Sequence, residues 1–148
     1  MTWLRRFLTR PSRDRRALVE AFLLLALARA ALTVVPFRRL AAWLGTPATG
    51  STAPSRAEEG EVEIVGRAIA TAARHLPWDS RCFAQSLAAT AMLRRRGLAS
   101  ITSLGVAREP GGGLRAHAWT RCGDLPVAGG DEAARYQVVA IYRSDPRP

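Results

Sequence analysis

The chain has 148 residues, of which 48% are hydrophobic, and this fits one globular domain rather than a disordered or disulfide-stapled chain. Its 22 basic residues are all arginine, and against 12 carboxylates they give a net charge of +10. Such a charge favours an acidic partner, whether nucleic acid, an anionic membrane surface or an acidic peptide. Two cysteines without a CxxC pair and two histidines are too few for an ordinary zinc site. We therefore expect neither a metal nor a cofactor.

The first 45 residues are predicted to form a basic arm followed by two helices. Residues 1–16 are rich in arginine, residues 17–35 are rich in Ala and Leu, and Pro36 separates that helix from a shorter one over residues 37–44. The apolar stretch 21–36 is shorter than the roughly 20 residues of a spanning helix, so no transmembrane span is expected. Without a recognisable signal peptide, the chain is expected to be cytoplasmic with reduced thiols.

The first long helix is apolar over most of its circumference, so it needs a partner surface. We expect it to dock on a partner protein, and packing against the chain's own helices is the alternative. The following run at residues 46–60 is rich in Pro, Gly, Ser and Thr and is predicted to be a linker. Residues 61–148 are then the main domain.

The main domain is predicted to contain helices first and strands afterwards. Helical spacing covers residues 61–76, and a second helix begins near Asp79 or Ser80 and ends at Gly97. Strands are predicted at residues 101–107, 114–122, 125–128 and 136–142. This order predicts an α+β fold with helices packed on an antiparallel sheet.

Cys82 and His117 are the candidate catalytic pair. Cys82 lies at the start of the second helix, where the helix dipole and the neighbouring Arg81 favour the nucleophilic thiolate. The alternative for a free cysteine is a small buried apolar side chain. His117 lies on a predicted strand, and packing of the helix on the sheet can bring the two side chains together. Trp78 and Trp119 flank the pair in sequence and are expected either to wall a cleft or to pack in the core.

A third group is required to orient the imidazole, and three carboxylates are candidates. Asp124 follows Gly123 in a predicted hairpin turn, whereas Asp131 follows the next short strand and can face His117 from there. We favour Asp131, with Asp124 next and Glu132 as a further candidate.

The order of cysteine on a helix, histidine in His-Ala-Trp on a strand and aspartate after the next strand resembles the transglutaminase-like branch of papain-fold enzymes. More narrowly, the chain resembles the leader peptidases of lasso-peptide biosynthesis. The resemblance covers nearly the whole chain in short segments: RALVEA at 16–21, LPW at 76–78, Cys82 with SLAA at 86–89, LRRRG at 93–97, LGV at 104–106, AHAW at 116–119 and GGD at 129–131.

This resemblance implies a papain/transglutaminase-like core with an extra N-terminal helical segment. It implies a cysteine peptidase that removes the leader from a lasso-peptide precursor with a triad of Cys82, His117 and Asp131. The chain leaves no room for a winged-helix recognition domain, so the resemblance implies a separate leader-recognition protein as partner, together with an ATP-dependent cyclase of the same pathway.

Two other function classes stay open on the residues alone. One is a transglutaminase-like acyltransferase with the same triad, because both reactions pass through a thioester. The other is a basic module that binds nucleic acid or a membrane surface. Scattered arginines without interleaved aromatic residues argue against nucleic acid as a partner.

Overall fold

The computed structural model describes residues 2–47, 56–77 and 82–146. Within these ranges helices come first and strands follow. The helices are α1 Thr2–Leu8, α2 Ser12–Val34, α3 Phe37–Trp43, α4 Arg56–His75 and α5 Cys82–Arg95, and the strands are β1 Thr46–Pro47, β2 Ser100–Arg108, β3 Leu114–Cys122, β4 Leu125–Ala128 and β5 Gln137–Ser144, with a 3-10 helix at Gly130–Arg135. The predicted α+β class is confirmed.

The described strands form one antiparallel sheet in the order β1-β5-β2-β3-β4. In the central β2–β3 pair, Gly105 lies opposite His117 and Leu104 lies opposite Ala118. The β2–β5 ladder shifts register between Leu104 and Gly105. The histidine-bearing strand is thus held between β2 and β4, at a position where its neighbour in the sheet has no side chain.

Helix α5 is the central helix, because it contacts α2 and α4 as well as strands β2, β3 and β4. Nine of its residues are buried, and four of them are Ala or Ser, which allows close approach from every side. A ladder of buried hydroxyls ties the helix to the sheet: the Thr90 and Thr102 oxygens are 3.4 Å apart, and those of Thr102 and Thr120 are 2.8 Å apart. This packing fixes where the first residue of α5 lies against β3.

The hydrophobic core joins α2, α4 and α5 on the sheet. Its members include Leu18 and Leu25 of α2, Ile69 of α4, and Met92 and Leu93 of α5, each at most 1% exposed. Helix α2 therefore packs on the chain's own helices along one face. The expectation of a docked partner applies only to the opposite face, which stays exposed.

The N-terminal segment differs from the predicted basic arm. Residues 2–8 are helical, and α2 begins at Ser12, because arginine is a good helix former and Pro11 precedes the first turn with φ −51°. Helix α2 is consequently 23 residues long, and an 18-residue window within it has a mean hydropathy of 2.0, so the helix is long and apolar enough to cross a membrane by length and composition. Core helices of globular proteins share this length and composition, so the expectation of no transmembrane span stays a prediction.

The predicted linker at 46–60 is structured at both ends. Thr46 and Pro47 pair with Arg143 and Tyr142 of β5, and helix α4 begins at Arg56. Residues 48–55 lie outside the described residues. The division of the chain into residues 1–45, a linker and a main domain at 61–148 stays a prediction. The structure adds that α2 of the first segment shares a hydrophobic core with α4 and α5 of the main domain.

Candidate active site

Cys82 is the first residue of α5 and is half-buried with a free thiol. The backbone N–H of Ala118 on β3 donates to its sulfur, with N and Sγ 3.4 Å apart. The sulfur thus lies at the N-terminal end of α5 and accepts a hydrogen bond from the backbone of β3. The structure thereby places the predicted nucleophile against the strand that carries the predicted base.

His117 directly precedes Ala118 on β3, one peptide unit from the N–H that contacts the cysteine. Its Nε2 lies 2.8 Å from the carbonyl oxygen of Gly129. A carbonyl oxygen only accepts hydrogen bonds, so Nε2 carries the proton and donates. In the neutral imidazole the lone pair is then on Nδ1, which is the form that a general base requires.

Aromatic side chains hold the imidazole from the side. The ring of Tyr136 stacks on that of His117 with centroids 4.8 Å apart, and the ring of Trp119 stacks at 5.8 Å. Gly105 makes this arrangement possible, because a Cβ there would lie 2.8 Å from the Tyr136 Cβ and 2.9 Å from the Trp119 ring. Trp119 is therefore part of the histidine's immediate surroundings, whereas Trp78 lies outside the described residues.

A cavity of about 740 Å³ opens beside His117 and is lined by α4, by Gln85 of α5 and by residues 126–132. Asp131 and Glu132 line this cavity, and Asp131 is exposed. Asp124 lies in the exposed turn after β3 and is not among the described residues that line the cavity. The role of Asp131 stays a prediction, since the partner that the structure gives to Nε2 is the Gly129 carbonyl, two residues before it.

Cys122, the other thiol, lies at the end of β3 and is 1% exposed. Burial raises the pKa of the Cys122 thiol, and the negative charge of Glu58 raises it further. Such a thiol is protonated and unreactive at neutral pH, as expected of a structural cysteine. Within the described residues, no group of three or more His, Cys, Asp or Glu side chains is placed to hold a metal ion.

Sequence reasoning missed two residues of this site. Gln85 lines the cavity and follows Cys82 by three residues. This i, i+3 spacing was the available signal, since residues so spaced lie on the same face of a helix. Gly129 contributes a backbone carbonyl from a left-handed conformation with φ +71°. The pair Gly129-Gly130 ahead of Asp131 signalled a special backbone conformation, but not which atom it would present.

The Cys82 thiol at a helix start contacts the backbone of the strand that carries His117, and the catalytic roles of these two residues stay predictions. The family model of the transglutaminase-like superfamily matches residues 11–141. The chain belongs to this superfamily, whose members are usually catalytic as cysteine proteases or transglutaminases. The match includes the whole of α2, so this helix is part of the family domain. No curated protein and no solved structure matches the chain.

Proposed function

We propose that the chain is a cytoplasmic cysteine peptidase that removes the leader from a ribosomally synthesised lasso-peptide precursor. Cys82 is the nucleophile, His117 the general base and acid, and Asp131 the carboxylate that assists the imidazole. One observation carries the proposal: the Cys82 sulfur lies 3.4 Å from the Ala118 nitrogen, beside a histidine whose Nε2 is occupied by the Gly129 carbonyl. The narrowing to a leader peptidase rests on the sequence segments that resemble that family.

In the proposed reaction, Nδ1 of His117 takes the thiol proton while Sγ of Cys82 attacks the carbonyl carbon of the scissile peptide bond. The resulting oxyanion accepts hydrogen bonds from N–H groups of the first turn of α5, which have no partner within the helix. The C–N bond then breaks, the leaving amine takes the proton from Nδ1, and the leader remains as a thioester on Cys82. Water, deprotonated by Nδ1, hydrolyses the thioester and regenerates the thiol.

The surroundings of His117 suit the charge changes of this cycle. When the imidazole is protonated, Nε2–H still donates to the Gly129 carbonyl, whose dipole stabilises the cation. Asp131 lines the same cavity as His117, and its carboxylate is the group that we propose to assist the imidazole. The cavity volume of about 740 Å³ lies within the range of ligand-binding clefts, and its described lining includes His117 but not Cys82.

The partners of the proposed peptidase follow from its narrow task. The precursor peptide is the substrate, a separate recognition protein captures its leader, and an ATP-dependent cyclase uses the released core. A reducing compartment suits this function, since the reaction requires a free thiol and both described cysteines are free. An acyltransferase of the same superfamily would resolve the same thioester with an amine instead of water.

The test is a reconstituted reaction of the chain with precursor and recognition protein, read as product masses. Cys82→Ala is expected to abolish leader removal, and His117→Ala to slow it by about 10²-fold or more. Cys122→Ala and His75→Ala are matched controls, because Cys122 is buried away from solvent and His75 bonds a backbone carbonyl of its own helix at 2.8 Å. Near-normal cleavage by a folded Cys82→Ala protein would exclude the proposal.

A further inference from the structure

Helix α2 has two apolar faces, of which only one is used in the core. The inward face is formed by Ala17, Leu18, Ala21, Leu25 and Ala28. On the opposite side, Val19, Leu23, Leu27 and Val34 are 46%, 67%, 64% and 79% exposed. At about 100° per residue these four side chains fall within an arc of about 80°, so they form one stripe. We refer to these four residues as the outward ridge.

The outward ridge is the centre of a larger apolar surface. A groove of about 720 Å³ beside Leu23 is lined by Phe7 of α1 and by Val19. A second groove of about 340 Å³ beside Leu27 is lined by Leu40 and Trp43. Leu24 lines both grooves, so the surface is continuous from α1 to α3. From Val19 to Val34 the ridge is about 22 Å long.

The net charge of the segment that carries this surface is strongly positive. Residues 2–44 contain nine arginines and two carboxylates, which is +7 of the chain's net +10. Both carboxylates are engaged in ion pairs: Glu20 with Arg95 and Arg96, and Asp14 with Arg67 at 3.8 Å. The surface therefore presents aliphatic side chains within an excess of guanidinium groups.

Two tryptophans lie at the borders of this surface. Trp3 of α1 is 44% exposed and stacks on Phe7, whereas Trp43 at the end of α3 is 40% exposed and lines the second groove. Tryptophan is enriched where apolar and polar layers of a membrane meet, because its ring is apolar and its N–H is a donor. Helices that lie in a membrane interface combine the same features: an aliphatic ridge, an excess of basic residues and tryptophans at the border.

We propose that the outward ridge binds the surface of an anionic bilayer, with α2 lying in the plane of the interface. Arginine near anionic lipid headgroups and apolar side chains at the acyl boundary account for both halves of the surface. A helix that spanned the bilayer would have to withdraw Leu18 and Leu25 from the core, where each is 1% exposed. Surface binding leaves that core intact. The proposal is independent of the peptidase reaction and adds a location to the protein.

Co-sedimentation of the full chain with lipid vesicles tests this proposal. We expect binding to vesicles containing 30% phosphatidylglycerol, weak binding to pure phosphatidylcholine, and release by high salt without detergent. The double variant Leu23→Ser with Leu27→Ser is expected to bind the anionic vesicles at least about tenfold more weakly than the native chain. Its matched control changes Leu114 and Val139 to Ser, since these are 72% and 62% exposed on the sheet.

The electrostatic half is tested in the same assay. Arg5→Gln with Arg16→Gln is expected to weaken binding about tenfold, whereas Arg108→Gln with Arg115→Gln, an equal change of charge at exposed positions on the sheet, is expected to leave it nearly unchanged. The double serine variant must retain the circular dichroism melting curve of the native chain.

Three results would overturn the proposal. The first is equal binding to neutral and anionic vesicles, or none to either. The second is release only by detergent, which would indicate a spanning helix. The third is that the native chain does not bind vesicles but forms a dimer, or a stable complex with the recognition protein, and that the double serine variant does not. This result would assign the outward ridge to a protein partner.

Discussion

Replacing Gly129 with alanine tests whether its carbonyl orients the histidine. Gly129 has φ +71°, and an added Cβ would lie 2.5 Å from the Ala118 carbonyl oxygen. A left-handed alanine costs about 1–2 kcal/mol. Both the clash and the strain move the Gly129 carbonyl away from Nε2 of His117, and loss of that hydrogen bond adds about 0.5–1.5 kcal/mol. We expect Gly129→Ala to lower the free energy of unfolding by about 1.5–3.5 kcal/mol.

Gly97→Ala is the matched control for this substitution. Gly97 has φ +72°, but nothing lies within 4 Å of an added Cβ there. For this variant the free energy of unfolding is expected to fall only by the backbone strain of about 1–2 kcal/mol. Its peptidase activity is expected to stay at the native level.

The free energy of unfolding is measured by urea titration, and activity as the rate of leader removal by the folded variants. We expect Gly129→Ala to cleave at least about tenfold more slowly than the native chain, because a reoriented imidazole is less often in the reactive geometry with the thiol. If Gly129→Ala is as stable as Gly97→Ala and cleaves at the native rate, the carbonyl does not orient His117.

Other expected outcomes address the third triad member, the two thiols and the N-terminal helices. Asp131→Ala is expected to lose more leader-cleaving activity than Asp124→Ala, since Asp131 lines the cavity with His117 and Asp124 does not; equal rates of Asp131→Ala and the native chain would exclude its role. Iodoacetamide near pH 7 is expected to modify Cys82 and to spare buried Cys122, as peptide mass mapping would show, and the reverse labelling would contradict the assignment. Because burial raises the pKa of Cys122, unfolding releases a thiol that ionises more readily, so the free energy of unfolding is expected to fall as pH rises above about 9.0. Cys122→Ala should reduce that fall in urea titrations, and an unchanged pH dependence would contradict the burial effect. Deleting residues 1–45 is expected to unfold the chain, as circular dichroism would show, because α2 supplies buried core side chains; a folded truncated chain would show that α2 is dispensable.

Local sequence signals were sufficient for the hairpin around the site. Strands β3 and β4 have the predicted bounds, since Gly123-Asp124 is a turn signal between two apolar runs, and Gly123 adopts φ +59° there. The start of α2 was placed five residues late, because an arginine-rich segment was interpreted as an arm although arginine favours helices. The two-residue strand β1 has no sequence signal, as it depends on pairing with β5.

The candidate pair could be predicted for a similar reason. A cysteine after a helix stop and a histidine on a strand are local features, and packing of α5 on the sheet places the Cys82 thiol against the backbone of the histidine's strand. The catalytic pairing itself stays a prediction. The Gly129 carbonyl was beyond prediction because a backbone atom carries no residue-type signal. Gly105 was equally hidden, since its importance depends on the β2–β3 register that places it opposite His117.

The central claim is that Cys82 forms a thioester that water resolves. The most direct measurement is leader removal in heavy-oxygen water, with the product masses and the mass of the acid-quenched enzyme read together. The account predicts a leader fragment with one heavy oxygen in its new carboxylate, and a leader adduct on Cys82 that Cys82→Ala lacks. A leader fragment that carries an amine in place of the heavy oxygen, or cleavage by the Cys82→Ala protein, would contradict it.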